Sequence, residues 1–147
     1  MRKQIISVAA ALLVSIVLAG RCGAQQVGAI DVNIPFAFQA GDRTMPAGEY
    51  RIQRLSAEME GIQLIQQHDG KNSTTVTSLP AESKDKSAPA RLVFNRYGNE
   101  YFLAEIWADG THGRRLHKSG REKEWASTLG RTEVAVLAHA YRLSAGL

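Results

Sequence analysis

The chain has 147 residues, 44% of them hydrophobic and 22% charged, with a single cysteine. That length suits one domain with its own core, and one thiol excludes a disulfide framework or a cysteine-ligated metal centre. Residues 1–24 supply three basic side chains (Arg2, Lys3, Arg21) and no acid, so 25–147 carry 15 basic against 14 acidic residues, net +1. The formal +4 of the whole chain is therefore no basis for specific nucleic-acid binding, which is not expected.

Met1-Arg2-Lys3 is followed by residues 5–19, apolar except for Ser7 and Ser15. This is the basic-then-apolar order of a secretory signal. A spanning helix needs roughly 20 apolar residues, and Gly20-Arg21 breaks the run first. Cys22-Gly23-Ala24 places small side chains at the third and first positions before a cut at Gln25. Residues 1–24 are thus read as a signal peptide and 25–147 as a single β-rich domain, with no transmembrane segment after cleavage. Lipid anchoring at Cys22 is the rival reading. It is disfavoured because bulky, charged Arg21 stands where a small residue is wanted. The reading places the protein in the periplasm or outside the cell.

Ile30, Val32, Ile34, Phe36 and Phe38 alternate with Asp31, Asn33, Pro35, Ala37 and Gln39. Period two marks a strand with one buried face; Pro35 removes one ladder donor. Gly41-Asp42 turns the chain. Pro46-Ala47-Gly48-Glu49-Tyr50 reverses it again into a strand at 50–53. Residues 61–67 continue with Ile62 and Leu64 on one face, taken as the apolar one. Asp69-Gly70 is a hairpin turn, and 72–79 returns, rich in β-branched residues. The polar run 80–89 reads as a flexible loop. Residues 92–94 and 101–107 flank Gly98-Asn99 as a second hairpin and are the candidate central strands; Asp109-Gly110 turns once more.

Ser119-Gly120-Arg121-Glu122 matches a capping box, in which the Glu122 carboxylate returns to the Ser119 N–H. A short helix follows at 120–129, with Trp125 and Leu129 on one face toward the sheet and Gly130 beyond its end. Residues 132–143 fit either a strand or a helical stripe, and the strand is preferred. The fold class is all-β: an antiparallel β-sandwich or small open β-barrel with one short helix near the C-terminal third.

No pattern carries chemistry. His112 and His117 are five apart, which suits neither a helix face nor a strand face for a metal; His68 and His139 stand alone. Glu105, between Leu103 and Trp107, calls for a structural partner such as Arg91 or Arg96. No Gly-x-Ser-x-Gly elbow or phosphate-cradling loop occurs. The sequence therefore offers no catalytic residue, no metal site and no cofactor site. The densest charge is Arg114, Arg115, Lys118 and Arg121, a candidate contact for an anionic envelope component or a protein partner. Tyr97, Tyr101 and Trp107 are candidate ligand contacts, with core or cross-strand packing as the alternative use.

The segments Val-Asn-Ile-Pro-Phe-Ala-Phe at 32–38, Met-Pro-Ala-Gly-Glu-Tyr at 45–50 and Phe-Asn-Arg-Tyr-Gly-Asn-Glu-Tyr-Phe-Leu-Ala-Glu-Ile-Trp at 94–107 together resemble a group of small exported bacterial β-proteins of uncharacterised function. The resemblance implies export and a β architecture, and it brings no activity with it. The functional expectation is a secreted or periplasmic non-catalytic binding or envelope-associated accessory protein. The alternatives are a binder of small apolar ligands with a pocket between sheets, and an unrecognised hydrolase.

Overall fold

In the computed structural model, which describes residues 29–140, the 30–38 alternation is a strand only as far as Ile34 and resumes as a separate strand at Phe38. The predicted signal peptide, Cys22 and residues 141–143 of the last predicted element lie outside the described residues. Ile30, Val32 and Ile34 of β1 (Ile30–Ile34) are buried, and Pro35 ends the strand. After the break come β2 (Phe38–Ala40), β3 (Arg43–Met45), β4 (Gly48–Arg54), β5 (Ile62–Gln67) and β6 (Ser73–Glu82). Then follow β7 (Arg91–Tyr97), β8 (Glu100–Trp107), β9 (His112–Leu116), helix α1 (Gly120–Thr128), β10 (Thr132–Leu137) and β11 (His139–Ala140). The fold is thus β-rich with one short helix near the C-terminal third.

The strands form one large open sheet of 11 strands, in the order β10-β7-β8-β9-β6-β5-β4-β1-β11. Neighbours are antiparallel; β2 adds a single parallel pairing, Gln39 with Phe102 of β8, and β3 pairs with β2. The sheet turns a corner at β6: residues 73–77 pair with β5 and 78–82 with β9. Pro80 is tolerated there. Its nitrogen points to the same side as that of Ser78, which donates to Gly61 O on the β5 side, and β5 has already ended by Pro80. The path ends at β10 and β11, which are separated in the chain by Ala138 alone.

The reversal at 46–50 has a specific lock. Tyr50 is fully buried, and its hydroxyl donates to Pro46 O at 2.6 Å. Burial raises the phenol pKa above its ordinary value. Gly70 (φ 73°) and Gly98 (φ 61°) take the positive angle that their hairpin turns demand.

Four expectations need correction. On β5 the core side is Gln63 and Ile65; Ile62 and Leu64 face outward and are half-buried. The polar run 80–89 opens as the end of β6. Its remainder is tied down by Ser83 N to Thr111 O and by Ser87 to the Asp85 carboxylate. Helix α1 buries Glu122, while Trp125 is half-buried and Leu129 is 40% exposed. The alternation of β8 breaks at Ala104, because Phe94 pairs with Leu103 but Val93 pairs with Glu105. This bulge turns Glu105 and Trp107 to the face opposite Leu103.

Candidate functional site

The registers sort the side chains of β6–β10 onto two faces. The inner face is one continuous core that includes Ile30, Ile34, Phe38, Tyr50, Ile52, Ile65, Leu92, Phe94, Leu103 and Ile106. Its aromatic rings fill space against each other: Phe36 stacks on Tyr101 at 3.9 Å, and Phe94 meets Phe36 and Phe38 edge-on at 5.1 and 5.5 Å. Edge-to-face contacts add to area burial.

The outer face runs in cross-strand rows. One row is Leu137, Arg91, Trp107, Gly113 and Ala81; the next is Ala135, Val93, Glu105, Arg115 and Leu79. The Arg91 guanidinium lies 4.8 Å from the Trp107 ring, a cation–π contact. Trp107 Nε1 donates to Glu105 Oε2 at 2.9 Å, and Arg115 Nε donates to Glu105 Oε1 at 3.2 Å. Glu105 is therefore a structural hub, as expected in kind, but its ion-pair partner is Arg115 rather than Arg91 or Arg96. Leu79 (53% exposed) and Leu137 (69% exposed) flank the array at opposite margins.

The predicted surface-contact residues divide. Arg114 points to the inner side, where Nε donates to Ser78 Oγ and Nη2 to Ser78 O. Arg115 is on the outer face with 65% of its side chain in solvent, and Lys118 and Arg121 are exposed at the entry to α1. The predicted aromatic contacts divide as well. Tyr101 faces the core, whereas Trp107 lies on the outer face. Tyr97 is also outward, its ring edge-on to Phe102 at 5.8 Å, beneath α1. Phe94 faces the core and is on the face opposite Phe102 and Trp107.

Helix α1 meets the sheet through a buried polar knot. Ser119 Oγ accepts from Glu122 N at 3.1 Å, which is half of a capping box. The Glu122 carboxylate turns away and accepts from Asn95 Nδ2 at 2.8 Å and from Tyr97 OH at 3.3 Å. Burial, then the charge of Glu122, raises the Tyr97 phenol pKa. Sequence reasoning missed Glu122 because the capping pattern already gave it a use. It missed the fit of Gly113 to Trp107, although an aromatic facing glycine across a turn is a readable signal.

The histidines lie in local ion pairs or in solvent. His68 Nε2 is 3.3 Å from Asp31, whose carboxylate also takes two bonds from Arg51. The hydrogen bonds from Arg51, with smaller help from His68, hold Asp31 below its ordinary pKa against burial. No group of three metal-ligating side chains occurs among the described residues. His112 is on the same face of β9 as Arg114, away from the face that carries Glu105 and Arg115. Asp109 accepts from the backbone N–H of His112 and of Thr111, which lowers its pKa from 3.8 to about 2.

A lowered pKa favours the folded state when the group is ionised. The Asp109 contribution is complete above pH 3.8 and is lost as pH falls through about 2. The urea midpoint of Asp109→Asn should fall below that of the wild type at neutral pH. The gap should close on acidification through this window.

Among the described residues no helix is long and apolar enough to cross a membrane. None of the family models, curated proteins or solved structures compared with this chain matches it.

Proposed function

We propose that the chain acts after export as a non-catalytic binding or envelope-associated accessory protein, and that its contact surface is the outer face of β6–β9 continued by Lys118 and Arg121. The apolar leader and the resemblance of the 32–38, 45–50 and 94–107 segments to small exported β-proteins support the compartment. The observation that carries the contact surface is the outer array itself. Arg91, Trp107, Glu105 and Arg115 are fixed to one another on adjacent strands, so the platform is rigid before a partner arrives. Leu79 and Leu137 offer apolar contact at its margins. Arg115, Lys118 and Arg121 offer positive charge to an anionic envelope component or an acidic protein surface.

The combined variant Arg115→Glu, Lys118→Glu, Arg121→Glu tests this reading. Each basic residue near an anionic surface contributes about 1 kcal/mol. Binding to vesicles containing anionic phospholipid should therefore fall at least tenfold at low salt, with circular dichroism unchanged. The wild type should lose its binding as salt rises. Full retention of binding by the variant at low salt would contradict the assignment.

A further inference from the structure

Glu122 is the single buried residue with a formal charge among the described residues, at 3% exposure. A buried carboxylate is costly unless it is well hydrogen-bonded. Here one oxygen, Oε1, receives both the Asn95 amide and the Tyr97 hydroxyl. Arg131 Nη1 reaches Asn95 Oδ1 at 3.5 Å, which orients the amide with its Nδ2 toward the carboxylate. These donors come from β7 and from the chain after α1. None belongs to the helix. The ring of Phe102 walls the same site through its edge-on contact with Tyr97.

The helix has little else to hold it. Its remaining large apolar side chain, Trp125, is half-buried, and Leu129 at its end is 40% exposed. Glycines bracket it. A Cβ on Gly120 or Gly130 would meet no atom within 4 Å, and neither residue has a positive φ. Neither close packing nor a turn requires glycine at these two points. At both, glycine gives the backbone more accessible conformations than any other residue would.

We infer that the outer face of β7–β8 beneath α1 is a carboxylate-binding site occupied in cis by Glu122, and that it receives an acidic side chain of a partner peptide when α1 swings away. Asn95 and Tyr97 supply the donors, Arg131 orients the Asn95 amide, and Tyr97 and Phe102 supply the apolar wall. The cis carboxylate competes at the high effective concentration of a tethered group. The partner must therefore displace it, and apparent affinity is reduced by the fraction of time the helix is closed. The site lies on the same outer face as the proposed basic contact, but it uses Asn95 and Tyr97 rather than Arg115, Lys118 and Arg121.

The probe is a synthetic peptide spanning residues 118–129, titrated into the full chain by fluorescence anisotropy. Glu122→Ala should bind it about tenfold or more tightly than the wild type, because the internal competitor is gone. Adding Asn95→Ala should abolish the gain, and a peptide carrying Glu122→Ala should not bind. Equal affinity of the wild type and Glu122→Ala, or equal binding of the peptide lacking the carboxylate, would overturn the inference. So would saturation of the vacated site by acetate alone with no further response to the peptide. Amide exchange on the wild type gives a reading that needs no variant. The α1 amides should exchange through an opening of lower free energy than those of β7. Protection equal to that of β7 would also overturn it.

Discussion

Phe94→Ala should lower the free energy of unfolding by about 3–5 kcal/mol, the range for emptying a buried aromatic site. Phe94 is fully buried, with Phe36 and Phe38 edge-on against it. It pairs with Leu103 beside the bulge that sets the two faces of β8. Truncation leaves a void beside two rings, Phe36 in the break after β1 and Phe38 on β2, and such rings collapse poorly into the space. Urea denaturation measures the loss directly. Phe94→Leu, which keeps most of the volume, should recover a large part of it. A loss under 1 kcal/mol for the alanine variant would mean that the rings do not interlock as described.

Gly113→Ala should destabilise the protein by about 1–3 kcal/mol, the usual cost of overpacking. The sign is the informative part, because alanine normally replaces glycine in a strand with a gain. A Cβ at position 113 would lie 2.5 Å from Trp107 Cε3 and 2.6 Å from Cδ2. The indole cannot simply retreat, because Glu105 holds its Nε1 and Arg91 covers its ring. The substitution should therefore break the Trp107–Glu105 bond. It should shift the urea midpoint downward and change the near-ultraviolet circular dichroism of the tryptophan. A variant as stable as the wild type would place Trp107 elsewhere.

Much of the architecture was legible because it rests on local periodicity. The alternation at 30–34, the Gly98-Asn99 hairpin and the Ser119 cap all appear where the residues place them, and 132–137 and 139–140 are strand. What escaped depends on the other side of a pairing. The bulge at Ala104 is a mismatch between β7 and β8, and neither strand shows it alone. It puts Trp107 on the face opposite Leu103 and Phe94. Arg114 and Arg115 looked like one patch because they are consecutive, yet a strand sends neighbours to opposite faces. Glu122 looked committed to the capping box at Ser119. Its burial arises from Asn95 and Tyr97, more than twenty residues away in the chain. Gln63 was passed over because a polar side chain facing the core needs a partner that periodicity does not reveal; it finds Glu60 O.

The division into a filled inner face and a working outer face is the claim on which the rest depends, and a slip of one residue would exchange the two. Nuclear Overhauser contacts from the Trp107 indole test it most directly. The account predicts contacts to the Gly113 α-protons and to the Arg91 side chain, with none to Phe94 or Leu103. Strong contacts from the indole to Phe94 and Leu103 would turn Trp107 inward and contradict both the register and the contact surface built on it.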